Sequence, residues 1–477
     1  MDMGWFLMRR NFMRRGKKCM DIFQTKTTKY QFNDYNARHF SEKLRAVTIG
    51  KWIINYLSFC KEENQDKIPL FVIRGGFQKY DAFSALVKTF IDDYPVILIE
   101  LPGEGESKQL QLELENEDYA DLLKDFIDIL QIEKIIPIAT SHGAFIAKLF
   151  AFRYPDRTHR LILGGITPSI REDLRLLLER SIFYWARNRN TESSTLGLYS
   201  LVNFEKIDVT RINGVILRSI EHTLFNLDFA ARLRVFDRTL KNIRTRSNGA
   251  PSCETLILVG EYDHVTRPEE NYQFGLGCPQ CFLAVFKNSD HLLHLEKQKI
   301  VFGLYRSFLQ GDSIAETKSK VNDLKIYDEI SNIKPEDFDP PKYFHCRLEA
   351  TLIENNKRKH PCIVSKISQN DCFLEMKDII DFRNQIRAAK HNIPFPSSSF
   401  GRKIKAYGIF LLIALERIFP SIHEYQIEIA NFNLRFEVIP KKNHNNQVQC
   451  IFISSNQKKY EALRDLITSL THQLDLP

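Results

Sequence analysis

A chain of 477 residues with 43% hydrophobic and 26% charged residues has material for two or three soluble domains and a large core. Its formal charge of +8 is concentrated in Arg9, Arg10, Arg14, Arg15, Lys17 and Lys18; the rest is nearly neutral, which excludes a nucleic-acid footprint. The nine cysteines are scattered, which excludes a disulfide framework and points to a reducing, cytoplasmic setting.

Residues 1–28 read as a basic tail. The cations alternate there with Trp5, Phe6, Leu7, Met8, Phe12 and Met13, a composition suited to peripheral contact with an anionic membrane. A disordered tail, or a start at Met20, accounts for the same residues. Charges interrupt the apolar residues too soon for a signal peptide, and the longest later apolar run, 408–415, is too short to cross a bilayer.

From about residue 45 to 311, short apolar strands alternate with amphipathic helices, the pattern of an α/β domain with a mostly parallel sheet. Segments 46–49 and 52–56 flank Gly50-Lys51 as an opening hairpin. Further strands are expected at 69–73, 96–99, 135–139, 161–163, 255–259 and 282–286. Residues 115–130 place Tyr119, Leu122, Leu123, Phe126, Ile127 and Leu130 on one helical face. A helix over 144–153 stops at Tyr154-Pro155. Residues 167–250 hold no clear strand and read as a helical cap inserted over the site. Its apolar residues, Leu174, Ile182, Phe183 and Trp185 among them, either pack the cap onto the sheet or line an alkyl tunnel. Residues 312–341 are polar and end in a proline-rich stretch, so they are expected to be a linker. Beyond them, strands at 345–353, 361–367, 372–376, 425–429, 434–439 and 448–453 form an antiparallel β domain over 342–477. Residues 378–417 read as helical, with a proline-serine interruption at 394–399, and 463–474 as a closing helix.

The chemistry concentrates in three turns. Ser141 stands in Ala139-Thr140-Ser141-His142-Gly143, a small-x-Ser-x-small corner between a strand and a helix that projects the hydroxyl above the sheet. A serine hydroxyl is a feeble nucleophile at neutral pH and needs a base, an orienting acid and a charge-stabilising pocket. Asp263, just past strand 255–259, is the candidate acid, and His291, after the last strand, the candidate base. His264 abuts the acid and His294 falls one helical turn too far; Asp290 and Glu261 are expected to be solvated or to cap a helix. The oxyanion hole is assigned to the backbone N–H groups of His142 and of Gly76, chosen ahead of Phe77 in Arg74-Gly75-Gly76-Phe77. The turn Glu100-Leu101-Pro102-Gly103-Glu104-Gly105 supports the arrangement. Cys278-Pro279-Gln280-Cys281 has no second pair to complete a zinc site and leads into a strand, so it reads as a turn. No metal and no cofactor are expected.

In its Ser, Asp, His order the 45–311 region resembles an α/β-hydrolase with an inserted cap, so the boundaries are a hydrolase domain at 29–311 with its cap at 167–250. A tighter resemblance is to the RhlA-type hydroxyacyl transferases. Arg74-Gly75-Gly76-Phe77 followed by Phe83 carries it, with Gly260-x-x-Asp263-x-x-Thr266-x-x-Glu269-x-x-x-Gln273-Phe274 and His291-x-Leu293-x-Leu295-Glu296. The elbow has His142 and Ala144 where that family has Ser-Trp-Gly-Gly. The resemblance implies a 3-hydroxyacyl thioester, on coenzyme A or an acyl carrier protein, as donor to Ser141, and a second hydroxyacyl group as acceptor. The leading expectation is therefore a serine-dependent acyltransferase joining 3-hydroxyacyl units into a hydroxy-fatty ester; the alternatives are an esterase or thioesterase using water with the same triad, and a non-catalytic regulatory or interaction protein. The C-terminal β domain is similar to PilZ domains, so a PilZ-like β-barrel is expected. Ser368 matches their motif, but Lys366 and Asp371 replace its other positions, and no paired arginines precede it. Binding of cyclic diguanylate is therefore not expected.

Overall fold

The computed structural model describes residues 29–42, 44–76, 78–104, 114–186, 189–203, 237–238, 241–242, 249–312, 314, 324–327, 344–354, 359–367, 371–376, 425–429, 434–442 and 448–453. The basic tail, the segments 378–417 and 463–474, and Ser368 lie outside these residues.

Among the described residues, nine strands form one sheet in the order β1-β2-β4-β3-β5-β6-β7-β8-β9. These are β1 Arg45–Ile49, β2 Trp52–Phe59, β3 Leu70–Ile73, β4 Val96–Glu100, β5 Ile136–Thr140, β6 Arg160–Gly164, β7 Glu254–Gly260, β8 Cys281–Phe286 and β9 Leu324–Tyr327. The hairpin β1–β2 forms as expected around Gly50, whose φ of 58° suits the tight turn. Strands β3 to β8 pair in parallel, while β2 joins β4 and β9 joins β8 antiparallel.

The last strand corrects the expected linker at 312–341. Leu324 and Ile326 are buried in one core and Lys325 and Tyr327 are half-buried on the opposite face, Tyr327 against the other core, so a four-residue alternation inside a polar stretch completes the sheet edge. Its signal was too short to stand out from its polar surroundings.

Both faces of the sheet are covered, and successive strand residues divide between them. Phe71, Ile73, Ile97, Ile99, Ile257 and Val259 enter one core with helices α2 (Asn116–Ile129) and α3 (His142–Arg153). Leu70, Val72, Val96, Leu98, Leu256 and Leu258 enter the other with α1 (Ser84–Phe90) and α8 (Gln298–Gln310). The cap contributes α4 (Glu172–Ala186) and α5 (Asn190–Leu201) between β6 and β7. Helices α6 (Pro268–Gly275) and α7 (Leu293–Glu296) follow β7 and β8. The chain leaves β3 toward β4 and returns to β5 on β3's other side. That reversal opens a crevice at the carboxyl ends of β3 and β5.

The C-terminal strands β10 (Phe344–Glu354), β11 (Lys359–Ile367), β12 (Asp371–Met376), β13 (Tyr425–Ile429), β14 (Leu434–Lys442) and β15 (Val448–Ile453) pair only antiparallel. Their order is β10-β11-β12-β15-β14-β13, with β13 pairing back onto β10.

Candidate active site

Ser141 occupies the junction of β5 and α3 with φ 50° and ψ −118°, backbone that a non-glycine residue adopts only under strain of roughly 1–3 kcal/mol. Its neighbours hold it there. The Ser141 N–H donates to Gly164 O (2.8 Å), and its carbonyl accepts Ala144 N–H (2.9 Å). Gly143 lets α3 approach β3, since a Cβ there would lie 2.5 Å from both Ile73 O and Arg74 O. The serine is thus fixed above the carboxyl end of the sheet, half-buried beside the crevice.

The loops after β7 and β8 bring the other two residues together. His291 Nδ1 lies 2.8 Å from Asp263 Oδ2, with both side chains almost wholly buried. Asp263 Oδ1 also accepts the Val265 and Thr266 N–H groups, and Oδ2 the Thr266 hydroxyl, each at 2.9 Å. Burial pushes Asp263 toward protonation, but the His291 charge and these hydrogen bonds outweigh it and lower its pKa below the ordinary value. Burial likewise disfavours the His291 cation, yet Asp263 beside it, with Asp290 and Glu296 behind, raises its pKa above 6.5. The His291 ring is also close to the serine's support. Gly165 directly follows the residue that anchors Ser141 N–H, and a Cβ on it would lie 3.3 Å from His291 Cε1. Ser141 Oγ makes no hydrogen bond among the described residues, as is common before substrate aligns a nucleophile with its base.

Asp290 is corrected: it is neither solvated nor at the surface, with 0% exposure. Its Oδ1 accepts the His291 N–H (2.8 Å) and its Oδ2 the N–H of Asn203, just past α5 of the cap (2.5 Å). Burial and Asp263 raise its pKa well above the carboxylate range. Glu296 completes the loop by accepting the Asp290 N–H (2.7 Å) and the Leu292 N–H (3.0 Å). Burial raises it to about 7. Glu261 instead accepts the exposed Asn288 N–H.

At the turn after β3, the Gly75 N–H is already taken by Gln78 Oε1 (2.7 Å). The N–H groups of Gly76 and His142 have no acceptor among the described residues. The two meet across the crevice, since a Cβ on Gly76 would lie 3.8 Å from the His142 ring. Phe77 lies outside the described residues. Burial and the nearby His291 hold His142 and His294 at about 4, so both are neutral at pH 7.

Residues that sequence reasoning passed over surround this site. Arg74, nearly fully buried, reaches Glu100 and Glu104 at 3.4 Å and packs 5.0 Å from the Tyr80 ring centroid. Arg238 of the cap pairs with the same Glu104. The glutamates had been read only as part of a turn, and nothing local in sequence announces partners on other elements. The CxxC thiols are buried and donate to backbone carbonyls, Cys278 to Phe274 and Cys281 to Phe282, and no group of metal-ligating side chains occurs among the described residues.

Comparison with known proteins fits this geometry. Residues 68–298 match the family model described as alpha/beta hydrolase fold. A 2-hydroxy-6-oxononadienedioate/2-hydroxy-6-oxononatrienedioate hydrolase of Pseudomonas putida is 22% identical over 49% of this chain and 83% of its own. An (E)-2-((N-methylformamido)methylene)succinate hydrolase of Acinetobacter baylyi is 20% identical over 51% of this chain and 90% of its own. MGS-M2, an alpha/beta hydrolase from a deep-sea metagenome library, superposes with a TM-score of 0.51 at 17% identity, covering 56% of this chain and 98% of that structure. The two sequence relatives are hydrolases, which backs the expected hydrolase alternative better than the transferase. Residues 68–298 therefore carry the α/β-hydrolase fold, and the protein is an enzyme of the hydrolase type.

Proposed function

We propose that the protein is a serine esterase or thioesterase in which Ser141 is the nucleophile, His291 the base, Asp263 the orienting acid, and the Gly76 and His142 amides the oxyanion hole. One observation carries the reading: a strained serine at the carboxyl end of β5 shares the Gly164-Gly165 corner with a buried His291–Asp263 pair. In this reading, Ser141 Oγ attacks the substrate carbonyl while His291 Nε2 takes its proton. Asp263, bonded to Nδ1, holds the ring's tautomer and stabilises the imidazolium. The two free amides receive the oxyanion. His291 then protonates the departing alkoxide or thiolate, and a water activated by the same ring releases the acid. Transfer to a second hydroxyl differs only in the acceptor, which a dry cap would have to enforce.

The test compares wild type with Ser141→Ala on p-nitrophenyl esters and a 3-hydroxyacyl-CoA, reading products by mass spectrometry and Ser141 labelling by a fluorophosphonate. We expect free acid as product and a loss of about 10⁴-fold or more in Ser141→Ala. The wild-type kcat/KM should rise with pH along a limb set above 6.5, because the base must be neutral to accept a proton. A hydroxyacyl ester dimer would reinstate the transferase, and absence of both labelling and turnover would sink the reading.

A further inference from the structure

The turn that presents Gly76 is clasped from both ends by one residue outside the triad. Gln78 uses every polar group of its side chain in a different direction. Its Oε1 accepts the Gly75 N–H at 2.7 Å and lies 3.3 Å from the Thr140 hydroxyl, one residue before the nucleophile. Its Nε2 lies 3.0 Å from His294 Nε2, on the helix that follows the His291 loop. Its backbone carbonyl accepts Arg74 Nη1 at 2.7 Å, so Arg74 and Gln78 close the turn on each other.

We propose that Gln78 is the positioning residue of the oxyanion hole, fixing the Arg74–Gln78 turn relative to Ser141 and to the His291 loop so that Gly76, not Gly75, offers its N–H to the substrate. The inference rests on the esterase reading above and names a residue that reading does not use.

The orientation of the amide follows from chemistry. Gly75 N–H and Thr140 O–H are donors, so the side-chain atom facing them must be the oxygen. The nitrogen then points at His294 and needs an acceptor there. His294 supplies one as its Nδ1–H tautomer, whose Nε2 keeps a lone pair; burial and the neighbouring His291 hold the ring neutral, so that tautomer is open to it. One amide is thereby locked between three elements: the turn after β3, the end of β5 and α7. Gly75 is excluded as an oxyanion donor by the same bond. A Cβ at Gly75 would meet Gln78 Oε1 and Thr140 Oγ1 at 3.1 Å, which leaves this packing little slack. Gln78 touches no reacting atom, so its effect belongs to the transition state, where an oxyanion displaced from its donors loses much of their stabilisation.

The experiment measures kcat and KM of wild type and Gln78→Met on a p-nitrophenyl ester. Rates are normalised to fluorophosphonate-titrated Ser141, and affinity for an aryl trifluoromethyl ketone, which forms an oxyanion in the site, is measured alongside. We expect kcat to fall by about 10- to 100-fold with KM within about twofold, the scale of a small displacement in a catalytic array. Affinity for the ketone should fall by the same factor. A merely structural role would lower the titratable fraction and leave kcat per titrated site unchanged. That result, or an unchanged ketone affinity, overturns the proposal. If Gln78→Met does not fold, Gln78→Asn takes its place: it keeps the amide but is one methylene too short to reach the Gly75 N–H. The same loss of kcat supports the proposal, and a wild-type kcat overturns it. Failure of the esterase reading is separate, since the wild type itself would then show neither titration nor turnover.

Discussion

Gly165, at φ 68°, has no side chain where one would collide with the His291–Asp263 pair: a Cβ there would sit 2.6 Å from Thr266 Oγ1 and 3.3 Å from His291 Cε1. Thr266 Oγ1 donates to Asp263, so one methyl group would disturb both ends of the His291–Asp263 bond. Gly165→Ala should therefore lower kcat/KM by about 100-fold while costing about 1–2 kcal/mol of stability from the left-handed backbone alone. Kinetics per titrated serine and a urea denaturation curve check the two parts, and an unchanged kcat/KM would refute the crowding argument. Residues of this kind divide by how locally their roles are written. Ser141, Asp263 and His291 are candidates from sequence because each stands in a turn whose own spacing is unusual, and the structure pairs the last two. Gln78 could not: its partners Thr140 and His294 lie 62 and 216 positions away, and a glutamine two residues after a glycine pair carries no local signal. Asp290 was misread because an aspartate in a loop is ordinarily solvated, and only the cap's Asn203 explains its burial.

Helix α3 carries a lysine that its setting does not favour. Lys148 is 1% exposed, and its Nζ lies 5.0 Å from the centroid of the Phe274 ring on α6. Burial lowers its pKa from 10.5 to about 8, with Cys278 opposing the shift only in part. The unfolded chain therefore binds more protons than the folded one between pH 8 and 10.5, and stability rises with pH across that window. At pH 7 the charged form costs on the order of 3 kcal/mol, which the cation–π contact offsets in part. Lys148→Met should raise stability at pH 7 by about 1–3 kcal/mol and flatten the rise toward pH 10. Urea midpoints at both pH values measure this, and a destabilised variant would show that the ammonium has a partner worth more than its burial costs. The helix itself was legible, because an apolar run ending at Tyr154-Pro155 reads directly as a buried element that stops there. Its lysine was not, since one cation in such a run reads as the solvated edge of a face; here sheet, α2 and α6 leave the helix no such edge.

The hydrolase domain was legible as a whole because each of its strands is a short apolar run with its own turn, and their order along the chain limits the topology. The strand in the expected linker escaped because four alternating residues do not outweigh the mainly polar stretch around them. How the cap is held was also unreadable, since it depends on pairs between distant segments. Arg171, at the cap's start, bonds Glu270 (2.7 Å) and the carbonyl of His264 (2.6 Å), next to Asp263. Asn116 Nδ2 donates to Asn242 Oδ1 (2.9 Å), and Arg238 meets Glu104. Just past α5, Asp290 divides its two oxygens between Asn203 of the cap and His291 of the loop after β8. That shared carboxylate has a consequence for how the molecule breathes. The Asn203 and His291 amide protons are guarded by one side chain, so the cap corner and the base's loop open as one cooperative unit. In deuterium the two amides should exchange with the same opening free energy, and that energy should rise equally for both when Ser141 is occupied by a fluorophosphonate. Much faster exchange at Asn203 alone would mean that the corner comes loose without the loop, and that the base keeps its place whether or not the cap is down.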